Sequence, residues 1–323
     1  MKGTGNRVGG IGKMLIIIVC GLVISIELGL RLFFGFGNPL IYLKDEQIGY
    51  LLAPNQKTRR LGNRIQINEY SMRSQSIAKI PESTTLRILL LGDSIANGGW
   101  WTDQAQTIAS LLQNSLQSGS GNGKVEVLNA SANSWSPRNE LAYLAKFGTF
   151  NARVVVLLIN TDDLFGIAPN SFQVGRDRNY PATKPPLAIL EIFQRYLQKP
   201  QPIPELDQLF AEPGDRVGII LTAIRQIKAL VIENHGQLLL AMTPLLREIG
   251  QPGSRDYEIV ARRRLNEFVE EEQITYIDFL PIFQVVEPPK SLYLDTIHMN
   301  SQGNQLVSHE IERSLREMLK LEQ

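Results

Sequence analysis

The 323-residue chain contains a single cysteine and only three histidines. One thiol cannot close an intrachain disulfide, so a cystine-stapled scaffold is excluded. So few Cys and His also exclude a zinc centre built mainly from those ligands. An excess of charge of one sign is missing too: 33 Lys+Arg stand against 32 Asp+Glu, a net charge of +1. That balance argues against a strongly basic nucleic-acid binder. The two signs are nevertheless unevenly spread. Residues 1–73 hold ten basic and four acidic residues, net +6, and residues 74–323 hold 23 and 28, net −5. The basic share sits beside the longest apolar run.

That run, MLIIIVCGLVISI at 14–26, has thirteen positions without a charge before Glu27 interrupts it. LGL then leads to Arg31 and LFFGF. The 17 residues between Lys13 and Arg31 would make about 26 Å of helix, near the lower limit for a membrane span. Glu27 lies about one turn from the far end, where a carboxylate reaches the headgroups at modest cost. Phe33, Phe34 and Phe36 add apolar bulk at that interface. Lys2, Arg7 and Lys13 precede the run, so the positive-inside bias puts the N-terminus in the cytoplasm and the rest of the chain across the membrane. The rivals are a cleaved signal peptide, for which no A-x-A-like site follows, and a buried helix of a soluble domain. Cys20, inside the run, reads as an inert apolar filler.

The expected organisation is a cytoplasmic basic tail (1–13), a signal anchor with its interfacial flank (14–36) and a strand-and-loop lead-in (37–84). A periplasmic or extracellular main domain (85–323) follows. Arg59, Arg60, Arg64 and Arg73 in the lead-in read as a solvated basic face, or as one touching anionic lipid or polymer. From residue 85 short apolar runs alternate with helical periodicity: LRILLLG (86–92), VEVLNA (125–130), RVVVLLI (153–159), QLLLAMTP (237–244) and ITYIDF (274–279). Nearly continuous apolar strands separated by helices predict a three-layer α/β/α sandwich on about five parallel strands. SGSGNG (118–123) reads as a surface loop; it lacks the lysine–serine/threonine ending of a phosphate-binding loop. A proline-rich insertion at 164–214, with one short helical segment LAILEIFQRYL, emerges after the strongest strand, at the sheet edge where such folds bind ligands. We read it as shaping a substrate site.

Ser94 stands two residues beyond Gly92, where the first strand turns into a helix. A short side chain on that bend is presented above the sheet edge. Near the other end, Asp295 and His298 are three apart, a spacing that can place both on one side of a helical turn. Such an imidazole can deprotonate Ser94 while the carboxylate holds its tautomer. His235 reads as a helix cap or surface residue, and His309 as structural or solvated. Trp100, Trp101 and Trp135 follow strand ends, and Tyr180 lies in the insertion. They are either ordinary packing or the aromatic wall of a pocket for a sugar ring or acyl group.

GDSIANG (92–98) and DTIHMNSQGNQ (295–305) resemble the first and last blocks of the SGNH, or GDSL-type, hydrolases. The resemblance spans about 86–320, interrupted by the insertion. It implies a flavodoxin-like fold with Ser94 as nucleophile, His298 as general base and Asp295 as its support. It also implies that the Ser94 backbone N–H contributes to an oxyanion hole. The middle blocks depart from the family pattern. Ser134 stands where the family has an oxyanion-hole glycine. INTDDL places Asn160 at the glycine of G-x-N-D, Asp162 at its asparagine and Asp163 at its aspartate. An ionised Asp162 has no proton to donate to an oxyanion. Asn160 and Asn133 are the nearby substitutes, with Asp162 turned away, protonated or disabling.

Three functions stay open at this stage. The first is a membrane-anchored serine esterase acting through an acyl-enzyme on an acyl or O-acetyl ester, with an envelope glycan as a candidate substrate. The second is an O-acyltransferase modifying an extracytoplasmic polysaccharide, which needs a membrane partner to deliver the acyl donor. The third is a non-catalytic glycan-binding or assembly protein on the same fold. None of these mechanisms calls for a metal or organic cofactor or for nucleic acid.

Overall fold

The computed structural model describes residues 5–118, 123–211 and 213–321. Lys2 and the centre of the SGSGNG segment fall outside them. Helix α1 (Gly5–Gly29) continues through a π-helical turn at Leu30–Phe34. The segment Gly12–Phe34 is long and apolar enough to cross a membrane, and none of its residues is buried in the protein. Two antiparallel hairpins follow, β1 (Tyr42–Asp45) with β2 (Gly49–Leu52) and β3 (Gln56–Arg60) with β4 (Asn63–Ile67). Ile48, Tyr50, Leu52, Ile65, Ile67 and Met72 of this lead-in join one of the two hydrophobic cores.

The main sheet has five strands, β5 (Thr85–Gly92), β6 (Lys124–Ser131), β7 (Val154–Asn160), β8 (Gln237–Thr243) and β9 (Thr275–Asp278). Their spatial order is β6-β5-β7-β8-β9 and every pairing is parallel. Parallel strands covered on both faces need apolar side chains on both, which explains the unbroken runs seen in the sequence. Leu89 and Leu91 of β5 enter one core, Ile88 and Leu90 the other. Helices α4 (Pro137–Phe147), α7 (Arg216–Glu233) and α9 (Asp256–Glu271) cover the first face together with the lead-in. Helices α3 (Ile108–Ser118), α8 (Leu246–Ile249), α10 (Phe279–Gln284) and α11 (Ser301–Leu319) cover the second. The result is the three-layer α/β/α sandwich expected from the alternation. The chain leaves β5 outward to β6 and then crosses back to β7 on β5's other side. A crevice therefore opens at the carboxyl end of β5, the switch point where open α/β sheets bind ligands.

The insertion carries α5 (Ala188–Ile192), which runs into a π-helical turn at Phe193–Leu197, and α6 (Pro204–Ala211). It folds back over the exit of α1. Glu27 does not reach outward, as its place near the end of the apolar run led us to expect. Its carboxylate accepts the N–H groups of Ala188 and Ile189 at 2.8 and 3.0 Å and pairs with Arg31 at 2.6 Å. The first turn of α5 has unpaired N–H groups, and an acceptor from the same chain satisfies two of them. The basic face of the lead-in also divides. Arg59 and Arg64 are exposed, but Arg60 and Arg73 are buried. Strand alternation turns Arg60 inward, and partners within the fold hold both buried guanidiniums.

Candidate active site

At the end of β5 a Cβ on Gly92 would come within 2.6 Å of the Leu158 carbonyl oxygen, so the close approach of β7 requires glycine there. Asp93 then caps the short helix α2 (Ser94–Asn97) by accepting the Ile95 N–H at 2.8 Å. This sharp entry leaves Ser94 at the first helical position, its hydroxyl 3.2 Å from Asp93 Oδ2. Arg73 secures the loop that follows, donating to the carbonyls of Asn97, Gly99 and Thr102 at 2.6, 2.6 and 2.5 Å. That loop carries Trp100 and Trp101. No sequence signal marked Arg73 for this role, because its three partners are main-chain oxygens that leave no residue-type pattern.

The last block reaches the same place from the opposite end of the chain. Asp295 and His298 do not share a helical turn. They form an Asx-type turn before α11, in which Asp295 Oδ1 accepts the N–H groups of Ile297 and His298 at 2.9 and 2.7 Å. Oδ2 lies 2.7 Å from His298 Nδ1, and His298 Nε2 lies 2.9 Å from Ser94 Oγ. Partial burial pushes the Asp295 carboxyl upward. The hydrogen bonds from the His298 ring and the two N–H groups outweigh it and hold the pKa below the ordinary carboxylate range. An ionised carboxylate only accepts, so Nδ1 carries the proton and Nε2 offers its lone pair to the Ser94 hydroxyl. His235, beyond the end of α7, and His309, beside Glu310 on α11, are both exposed and stand apart from this group.

Ser94 and His298 open into a cavity of about 260 Å³, whose wall includes Trp100, Trp101, Asn133, Ser134 and Tyr180. The Trp101 ring centroid is 4.3 Å from that of His298. Ser134 stands in the left-handed region at φ +59°, the conformation a glycine supplies without strain. Its hydroxyl is 2.8 Å from the Tyr180 hydroxyl. Trp135, by contrast, is not a wall residue: it is buried in the first core, its indole N–H donating to the Tyr50 carbonyl at 3.1 Å.

The INTDDL block is arranged differently from the expectation of a substitute donor at Asn160. Asn160 caps the 3₁₀ turn at Thr161–Phe165, accepting the Asp162 N–H at 2.7 Å. Its amide nitrogen donates to Asp93 Oδ2 at 2.9 Å and Asp163 Oδ2 at 3.0 Å, and the residue is buried outside the cavity. Those two carboxylates occupy its donors. Asp162 is exposed and lines a separate groove with Arg247 and Arg255. Asp163 is buried beneath the site, and so is Glu140 on α4. Burial pushes both carboxyls well above the usual range, and the charge of Asp93 adds to each shift. Among the described residues, no group of three or more His, Cys, Asp and Glu is placed to hold a metal ion.

Among solved structures the chain is similar to Axe2, an acetylxylan esterase from Geobacillus stearothermophilus. The two are 14% identical over 73% of this chain and 95% of that one, with a TM-score of 0.47. It is also similar to TesA, at 17% identity over 71% of this chain and 98% of that one, with a TM-score of 0.46. No curated protein matches the sequence. The family described as "GDSL-like Lipase/Acylhydrolase family" matches residues 90–306, a stretch that takes in both end blocks and the insertion but not the lead-in part of the cavity wall. With its serine block and its Asp–His block inside that match, the chain belongs to the GDSL-like lipase/acylhydrolase family.

Proposed function

We propose that this protein is a membrane-anchored serine esterase that cleaves acyl or O-acetyl esters through a covalent acyl-enzyme. Family membership supports hydrolase activity in general. The observation that carries the serine mechanism is the continuous chain Asp295–His298–Ser94 at the switch point of the sheet, with distances of 2.7 and 2.9 Å.

In this reading His298 Nε2 takes the Ser94 proton as Oγ attacks the ester carbonyl. Negative charge then develops on the carbonyl oxygen, and the backbone N–H groups of Ser94 and Ser134 are the proposed donors, with the Asn133 amide beside them. Asp295 supports the imidazolium. His298 returns the proton to the departing alcohol, and water repeats the sequence to free the acid. Trp100, Trp101 and Tyr180 offer flat apolar surfaces to the acyl group or a sugar ring. The exposed apolar surface of α1 supports anchoring, and the basic residues before it support a cytoplasmic N-terminus and an extracytoplasmic catalytic domain.

Fluorophosphonate labelling of the full chain in detergent tests the mechanism. Wild type should be labelled and Ser94→Ala should not. Equal labelling of both would overturn the serine assignment. A C-terminal reporter active only in the cytoplasm would overturn the topology.

A further inference from the structure

We propose that the wall of the Ser94 cavity formed by Arg60 and Arg195 is an anion-binding subsite, so that the ester substrate carries a phosphate- or carboxylate-type group away from its scissile bond. This inference rests on the esterase reading for the word substrate, but the binding site itself does not.

The cavity wall contains two guanidiniums, Arg60 and Arg195, and no carboxylate among the described residues. One carboxylate behind the wall, Glu191, serves both. Its Oε1 pairs with Arg60 and lies 3.7 Å from Arg195 Nε, and its Oε2 accepts the Gly37 N–H at 2.5 Å. The group thus keeps one positive charge in excess. Arg60 is only 6% exposed and stacks on Phe36, with its guanidinium carbon 4.3 Å from the ring centroid. Its Nη1 and the Nε of Arg195 are buried without a hydrogen-bond partner. Both nitrogens lie beneath the wall surface, so the attraction for an anion in the cavity is the excess charge of the pair rather than a direct bond to these two atoms.

A purely structural account falls short. Pinning the insertion to the lead-in needs only the Arg60–Glu191 pair, and it leaves the charge of a second guanidinium on the cavity wall without a carboxylate of its own. Arg195 is also held in place rather than left to solvent. Its Nη1 donates to Asn179 Oδ1 at 3.1 Å and its Nη2 to the Arg178 carbonyl at 3.0 Å. Burial lowers its pKa, Glu191 opposes that shift and the neighbouring Arg60 adds to it, so the charge of a bound anion would offset the repulsion between the two guanidiniums. The remaining wall nearby, with Phe36, Leu61 and Tyr196, suits an apolar linker between the anion and the ester.

Both a lipid headgroup and a water-soluble ester can supply this chemistry, and the test separates them. Full-length Ser94→Ala protein in neutral detergent is titrated calorimetrically with hexyl phosphate and with a single-chain lysophosphatidic acid. Hexanol and the matching monoacylglycerol are the uncharged references. At least one anionic probe should bind about tenfold or more tighter than its reference, and which one does so identifies the source. Arg195→Gln should remove most of that preference. Arg59→Gln, which deletes the same charge from the exposed face of the strand, should keep it. Arg60→Met repeats the test where it folds, and Arg195→Gln suffices where it does not. Equal binding of charged and uncharged probes, or a preference that survives Arg195→Gln, would overturn the subsite. Turnover is not needed for this readout. A failed fluorophosphonate reaction with wild type would therefore overturn the esterase reading alone.

Discussion

His298 presents Nε2 2.9 Å from the Ser94 hydroxyl across a sequence separation of 204. Ser94→Ala and His298→Ala should each lower ester turnover by about 10³-fold or more while remaining folded. His235→Ala and His309→Ala should stay within about threefold of wild type. Steady-state kinetics on short acyl and acetyl-sugar esters, with circular dichroism for folding, decides the matter. Unchanged turnover in Ser94→Ala would remove the serine mechanism.

Asp162 faces a groove away from the Ser94 cavity. Its carboxylate therefore stands clear of the developing oxyanion, and Asp162→Asn should leave catalytic efficiency within about threefold of wild type. A loss beyond about 100-fold with folding intact would show that the carboxylate itself is required. A large gain from an inactive wild type would indicate a disabled hydrolase.

Ser134 contributes its backbone N–H to the proposed oxyanion hole while holding φ at +59°. Ser134→Gly keeps the N–H and removes the left-handed strain, at the loss of the hydroxyl contact with Tyr180. Activity should stay within about threefold, and relief of the strain should contribute up to about 1 kcal/mol of stability. If turnover instead fell by about 100-fold, the side chain rather than the main chain would be serving the reaction.

Glu140 is buried and neither carboxylate oxygen has a hydrogen-bond partner. Burial raises its pKa, so the folded state keeps a proton that the unfolded chain releases near pH 4. Above that point the unfolded state binds fewer protons than the native one, and stability falls as pH rises toward the folded pKa. The slope is at most about 1.4 kcal/mol per pH unit for this carboxyl. Glu140→Gln should have a higher Tm near neutral pH and a flatter decline of Tm between about pH 5 and 8. Parallel Tm–pH curves for the two proteins would refute the assignment.

Much of this molecule was already determined by its residue order. The unbroken apolar runs required strands buried on both faces, and the helical periods between them required crossovers, so the parallel sandwich followed from local pattern. The two end blocks, GDSIANG and DTIHMNSQGNQ, named Ser94, Asp295 and His298, because the turn that leaves a strand and the turn that enters a helix each constrain residue types within one segment. The direction of individual side chains was another matter. Trp135 and Trp100 follow strand ends alike in sequence, yet one is buried in the core and the other lines the cavity. Asn160 had the right chemistry for a donor, but its amide is held by two carboxylates, one of them, Asp93, from a different strand end. Arg59 and Arg60 are adjacent and identical, and only strand pairing and the docked insertion turned one to solvent and the other to Glu191. Burial and long-range partners depend on which segments meet in space. Tertiary packing decided them, because no spacing within one segment encodes the partner supplied by another.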